Sequence, residues 1–200
     1  MNPAVYSRPA KPLRIPVRNR RDGAPVVPLE LPAIVTVDKF TECHVTPADV
    51  AARMVDYLGP PGDVLTLEPS AGTGNISRAL SASGHSSCEL VQVERHCTLS
   101  SGLGKYGAVI NRCFLEYAAE VAGRVEFPRV IMNPPFSAVK KHVAAAISLM
   151  GRGGHSETPT LVALVPVTFN LAGAETLETL PDDTFATARV HTKIIRYRRS

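Results

Sequence analysis

The sequence predicts an α/β fold, a Rossmann-like and mostly parallel sheet finished by an antiparallel C-terminal hairpin strand. Three observations predict it. Short apolar runs alternate with amphipathic helical stretches through the middle of the chain, the pattern of β–α–β units. One run leads through Glu68-Pro69-Ser70-Ala71-Gly72-Thr73-Gly74 into a helical stretch, so a glycine-rich loop lies where a ligand can approach backbone N–H groups. Another run, Arg129-Val130-Ile131-Met132, is stopped by Asn133-Pro134-Pro135-Phe136; two prolines cannot continue a helix or a ladder, which leaves a rigid turn at the carboxyl end of a strand. That is where open α/β sheets bind ligands.

In chain order, residues 1–33 alternate proline with arginine and show no periodic apolar face, the composition of a disordered arm. Residues 34–200 form the folded domain, opening with a strand-like stretch at 33–37. Thr46-Pro47-Ala48-Asp49 starts a helix with Thr46 as N-cap and Pro47 at the first helical position, and Val50, Met54, Val55 and Leu58 supply its buried stripe. Residues 63–67 read as a strand, the loop follows, and a helix runs from about Asn75 to Leu80. Residues 88–93 are the second strand, delivering Glu94 at the distance past the glycines where an acid meets ribose hydroxyls in such sheets. The Walker lysine is missing and Ser77 stands at the third glycine of the dinucleotide pattern, so the loop suits a nucleoside-type cofactor better than a triphosphate. Residues 106–111 make a weaker third strand leading to Cys113-Phe114-Leu115. After the Asn133 turn, Val139, Val143, Ile147 and Met150 mark one helix face, with Lys140, Lys141 and His142 outside it. Residues 161–166 are a buried strand beyond a glycine-rich loop at 151–155, residues 171–180 a short helix, and residues 185–190 and 193–197 the closing hairpin.

Composition narrows the function. The chain has 200 residues and 44% hydrophobic content, enough for one real core. No run approaches the roughly 20 apolar residues of a membrane span, and the charged, proline-rich start is unlike a signal peptide, so no membrane role and a cytoplasmic location are expected. Cys43, Cys88, Cys97 and Cys113 lack CxxC spacing and read as reduced thiols; Cys43-His44 with His96-Cys97 is a weak zinc alternative, and no metal is expected. Arg8, Lys11, Arg14, Arg18, Arg20 and Arg21 against Asp22 give residues 1–22 a charge of +5; Arg189, Lys193, Arg196, Arg198 and Arg199 give residues 189–200 another +5, leaving −6 between out of a net +4. Positive ends suit a polyanion, although solvated tails have the same composition.

The Asn133 cluster suits one chemical task. An Asn side-chain oxygen and a prolyl carbonyl can each accept one hydrogen of a planar amine, turning its lone pair outward, while Phe136 offers a flat face for the heterocycle. An ordinary strand-ending turn has the same signature, since Asn-Pro is a common turn signal.

Taken together and in this order, Thr46-Pro47 with its helix, Glu68 to Gly74, and Asn133-Pro134-Pro135-Phe136 resemble the motifs of the S-adenosylmethionine-dependent amino-methyltransferases that modify adenine at N6. Cofactor motif first and catalytic motif last is similar to the gamma group of DNA methyltransferases. The resemblance covers about residues 40–198 and implies a class I methyltransferase fold. It also implies that S-adenosyl-L-methionine is held by Thr46, Pro47, Glu68, Pro69, Ser70, Ala71, Gly72, Gly74, Asn75, Glu94, Cys113, Phe114 and Asn133, with Asn133, Pro134, Pro135 and Phe136 catalytic. The implied partner is nucleic acid, DNA before RNA. Two departures stand out: the family places an acid where Cys113 stands, and the 64 residues after Phe136 leave no room for a target-recognition domain. RNA adenine or a protein glutamine amide is the alternative substrate, and a catalytically silent nucleic-acid-binding module the alternative of another class.

Overall fold

In the computed structural model, residues 44–185 and 189–199 are described. The basic arm, the stretch at 33–37 and Cys43 lie outside them. Seven strands form one sheet in the order β3-β2-β1-β4-β5-β7-β6. They are β1 (Thr66–Pro69), β2 (Leu90–Val93), β3 (Ala108–Ile110), β4 (Arg129–Met132), β5 (Thr160–Pro166), β6 (Ala174–Leu180) and β7 (Thr192–Arg198). β1 to β5 pair in parallel, while β7 runs antiparallel between β5 and β6. The expected architecture is observed, with its antiparallel addition at one edge.

Five α-helices connect or flank the strands: α1 (Ala48–Leu58), α2 (Asn75–Ala82), α3 (Cys97–Ser100), α4 (Phe114–Val121) and α5 (Val139–Ser148). Strand periodicity divides the core between two faces. Val130 and Met132 of β4 and Leu161, Ala163 and Val165 of β5 join Phe114, Tyr117, Val143 and Ala146 of α4 and α5. Ile131, Val162, Leu164 and Ile194 point the other way, against Val50, Met54 and Val55 of α1 and Ile76 and Leu80 of α2. Both faces of the central strands are thus covered, which is why 130–132 and 161–165 read as unbroken apolar runs.

Several elements differ from expectation for definable reasons. β1 begins at Thr66, because Val64 N–H closes a turn on the Gly62 carbonyl at 2.7 Å; β1 therefore carries Glu68 and Pro69 into the sheet. Tyr106 N–H bonds the Leu103 carbonyl in a turn, so β3 starts only at Ala108. Phe114 opens α4 with Cys113 as its N-cap. Residues 171–180 are a turn and strand β6 instead of a helix. In β6 Thr176 faces Ile195 and Glu178 faces Ile194, so Leu177 is an extra residue, and this bulge spaces Ala174 and Leu177 by three, as a helix would. The hairpin is real, but β6 is its first strand. Residues 189–190 are not in a strand, and 186–188 lie outside the described residues.

Candidate functional site

The carboxyl ends of β1, β2 and β4 meet β3's exit in a cleft of about 380 Å³. Its floor is the loop after β1, where Ser70, Gly72 and Gly74 all have positive φ (59°, 56° and 77°). Glycine takes such angles without steric cost. At Gly74 a β-carbon would also stand 2.6 Å from Leu103 Cδ2, so close packing adds to the requirement. Glu94, at the tip of β2, accepts the Gly72 N–H on Oε2 and the His96 N–H on Oε1, both at 2.8 Å. The carboxylate is thereby clamped against the loop while each oxygen keeps a second lone pair.

Opposite, β4 delivers Asn133. Its Nδ2 donates to the His44 carbonyl at 2.8 Å and to Thr46 Oγ1 at 3.0 Å. A carbonyl can only accept, so the amide orientation is assigned by that bond, and Oδ1 is turned the other way. Oδ1 is buried and has no hydrogen-bond partner among the described residues. An unpaired buried carbonyl oxygen is costly, on the order of 1–3 kcal/mol, which marks it as a position awaiting a donor. Asn75 Nδ2 holds the Thr46 carbonyl at 2.7 Å, so two amides clip residues 44–46 beside the cleft. This corrects the expected role of Thr46 as a helix cap. α1 has Pro47 at its N-cap position, whose ring carries no acceptor for a cap bond, and the Thr46 hydroxyl accepts from Asn133 instead.

Beneath the loop, Glu68 and Ser77 are fully buried, and Ser77 Oγ bonds both Glu68 Oε2 and Gln92 Oε1, the latter at 2.6 Å. Gln92 donates its own Nε2 to the Leu103 carbonyl at 3.2 Å, leaving Oε1 as an acceptor. A hydroxyl has one proton, so Ser77 can satisfy Gln92 only if Glu68 carries a proton and donates to Ser77. Burial pushes the Glu68 carboxyl up to about 8, in agreement with that count. Ser77, read as a deviation from a glycine pattern, is the middle of this chain.

Of the residues singled out in sequence, Thr46, Glu68, Ser70, Ala71, Gly72, Asn75, Glu94, Cys113, Phe114, Asn133, Pro134 and Pro135 line the cleft. Pro47, Pro69, Gly74 and Phe136 do not. Pro69 is in the sheet opposite Val93, and Gly74 is the N-cap of α2, packed against Leu103. Phe136 begins a 3-10 turn (Phe136–Ala138) and its ring lies beside the cleft, stacked on His44 at 4.9 Å and 22°, with Phe185 edge-on at 5.9 Å. His142, expected on the outer face of its helix, is 8% exposed and lines the cleft against Phe114. The neighbouring Lys140 and Lys141 masked it, since only a three-residue offset from Val139 places it inward. His44, read only as half of a weak zinc alternative, and Phe185, read only as the start of a hairpin strand, were not expected beside Phe136, because each reaches it from a distant part of the chain.

No family model matches the chain, and no curated protein matches it by sequence. Solved structures do match. A 23S rRNA methyltransferase superposes with a TM-score of 0.58 at 16% identity, over 79% of this chain and 70% of that one. The Rossmann-like methyltransferase fold is therefore present. The methyltransferase subunit of a type I restriction-modification system from Streptococcus thermophilus matches with a TM-score of 0.60 and 16% identity, over 78% of this chain and 44% of its own, so this chain spans less than half of it. The magnesium protoporphyrin IX methyltransferase of Synechocystis, solved with bound S-adenosylmethionine, matches with 0.51 and 14% identity, over 76% and 77%.

Proposed function

We propose that this protein transfers a methyl group from S-adenosyl-L-methionine to the exocyclic N6 of adenine in nucleic acid, with DNA the foremost substrate. The observation that carries the reading is Asn133 Oδ1, buried, unpaired and turned from its own Nδ2 partners beside a glycine-loop cleft. The residues present fit the cofactor. The Glu94 carboxylate has lone pairs left for ribose hydroxyls, Phe114 and Leu115 offer apolar contact to a flat ring, and the 70–74 loop lets a chain pass close to the backbone. The rRNA and restriction-modification methyltransferases of like fold support a nucleic-acid substrate. The order of motifs favours DNA.

When bound, the cofactor would supply a sulfonium methyl for direct displacement by the amine nitrogen, the electrons of the broken carbon–sulfur bond staying on sulfur and one N–H proton of the methylated amine passing to solvent. The protein's part is alignment and charge. Asn133 Oδ1 accepts one hydrogen of the amine and the Pro134 carbonyl the other, directing the lone pair to the methyl and stabilising positive charge as it grows on nitrogen. His44 and Thr46 keep the Asn133 amide from flipping. Phe136 gives the target ring its stacking face, which requires the His44 imidazole stacked on it to be displaced. A target inside a duplex must first leave the stack, at a cost of a few kcal/mol.

Incubation with labelled S-adenosylmethionine and separate DNA, RNA and protein pools, followed by nucleoside and amino-acid analysis, tests the reading. N6-methyladenine in DNA is the expected product. Label in RNA alone moves the substrate, label in glutamine selects the protein alternative, and no label in any pool supports a silent binding module.

A further inference from the structure

We propose that His142 is the acceptor that reads the 6-amino edge of the cofactor's purine, a recognition role not supplied by Cys113. The inference rests on the cofactor reading above. His142 lies in the first turn of α5, with its ring against Phe114 at 5.9 Å, at the end of the cleft where β3 runs into α4. Its Nδ1 is 3.1 Å from the Ala138 carbonyl. That oxygen can only accept, so the proton sits on Nδ1, and in the neutral ring Nε2 becomes an acceptor on the opposite side. Burial lowers the imidazole's pKa and favours this neutral form.

The polar side chains that β3 and β2 bring to the cleft do not match the need: Arg95, like Arg112, can only donate. Arg112 pairs with Glu120 at 2.5 Å, and Cys113 offers a thiol, a weak acceptor. Glu94 is clamped to Gly72 and His96 farther along the cleft. The apolar face of Phe114 with the Nε2 lone pair of His142 beside it suits a heteroaromatic ring carrying an amino group, and disfavours one carrying an oxygen there.

The test measures binding of two probes by calorimetry: S-adenosylhomocysteine and its analogue with hydrogen in place of the 6-amino group. The wild-type protein is expected to bind the amino compound about tenfold more tightly, the scale of one hydrogen bond made by one probe and not by the other. His142→Phe, which keeps a ring against Phe114, should bind both equally. His142→Gln, which restores an acceptor, should recover part of the preference. If the wild type binds both alike, or the Phe variant keeps the preference, the role of His142 is refuted while cofactor binding stands. If the wild type binds neither probe, the cofactor reading itself fails. The wild-type comparison needs no variant to fold.

Discussion

At the scale of single residues, the site depends on where individual protons sit. The Asn133 amide is oriented by two acceptors, and the Glu68–Ser77–Gln92 chain is complete only with Glu68 protonated. Protonation of Glu68 ties stability to pH. A carboxyl raised from 4.5 to about 8 holds its proton in the folded state after the unfolded chain has released it. Its contribution is therefore fully present below 4.5 and is lost as pH rises through about 8. Glu68→Gln can donate to Ser77 without titrating. Thermal melts of the wild type should fall in Tm across that window, and melts of the variant should fall less; parallel slopes would mean that Glu68 is ionised in the fold.

At the scale of elements, the glycine loop sets the start of α2 and the shape of the cleft floor together. Gly74→Ala places a β-carbon at φ 77° and against Leu103. We expect a loss of about 1–2 kcal/mol in denaturant unfolding and weaker cofactor binding. Unchanged values of both would show the loop to be tolerant there. Element scale is also where reading from sequence succeeds and fails. β4, β5 and α1 were legible because their buried residues form simple patterns: 130–132 and 161–165 are unbroken buried runs, and Val50, Met54, Val55 and Leu58 recur with a helical period. β6 was not, because its bulge at Leu177 breaks the period of two and imitates a helix. Within the site, Asn133, Glu94 and the loop were legible since a turn or strand tip singles each out locally. His142 joins through a helix face whose neighbours are lysines, and Phe185 and His44 join only through the assembled fold.

At the scale of the whole molecule, some of the C-terminal basic residues are engaged by the fold. Arg196 pairs with Glu175 at 2.8 Å, and Arg199 donates to the Met150 carbonyl at 2.7 Å just past the end of α5, where a cation is favoured. Six cations lie in residues 1–22. Deleting residues 1–30 should weaken DNA binding strongly at low salt and little at high salt, with a shallower slope of log affinity against log salt. Equal loss at both would argue against an electrostatic arm. The central claim is that one cleft brings a methyl donor to an amine held by Asn133 Oδ1 and the Pro134 carbonyl, and the Asn133→Ala variant tests it most directly. Side by side with the wild type, S-adenosylmethionine affinity by calorimetry should change by no more than a few-fold, while labelled-methyl transfer to adenine should drop by about 100-fold or more. A variant that transfers methyl at the wild-type rate would contradict the account.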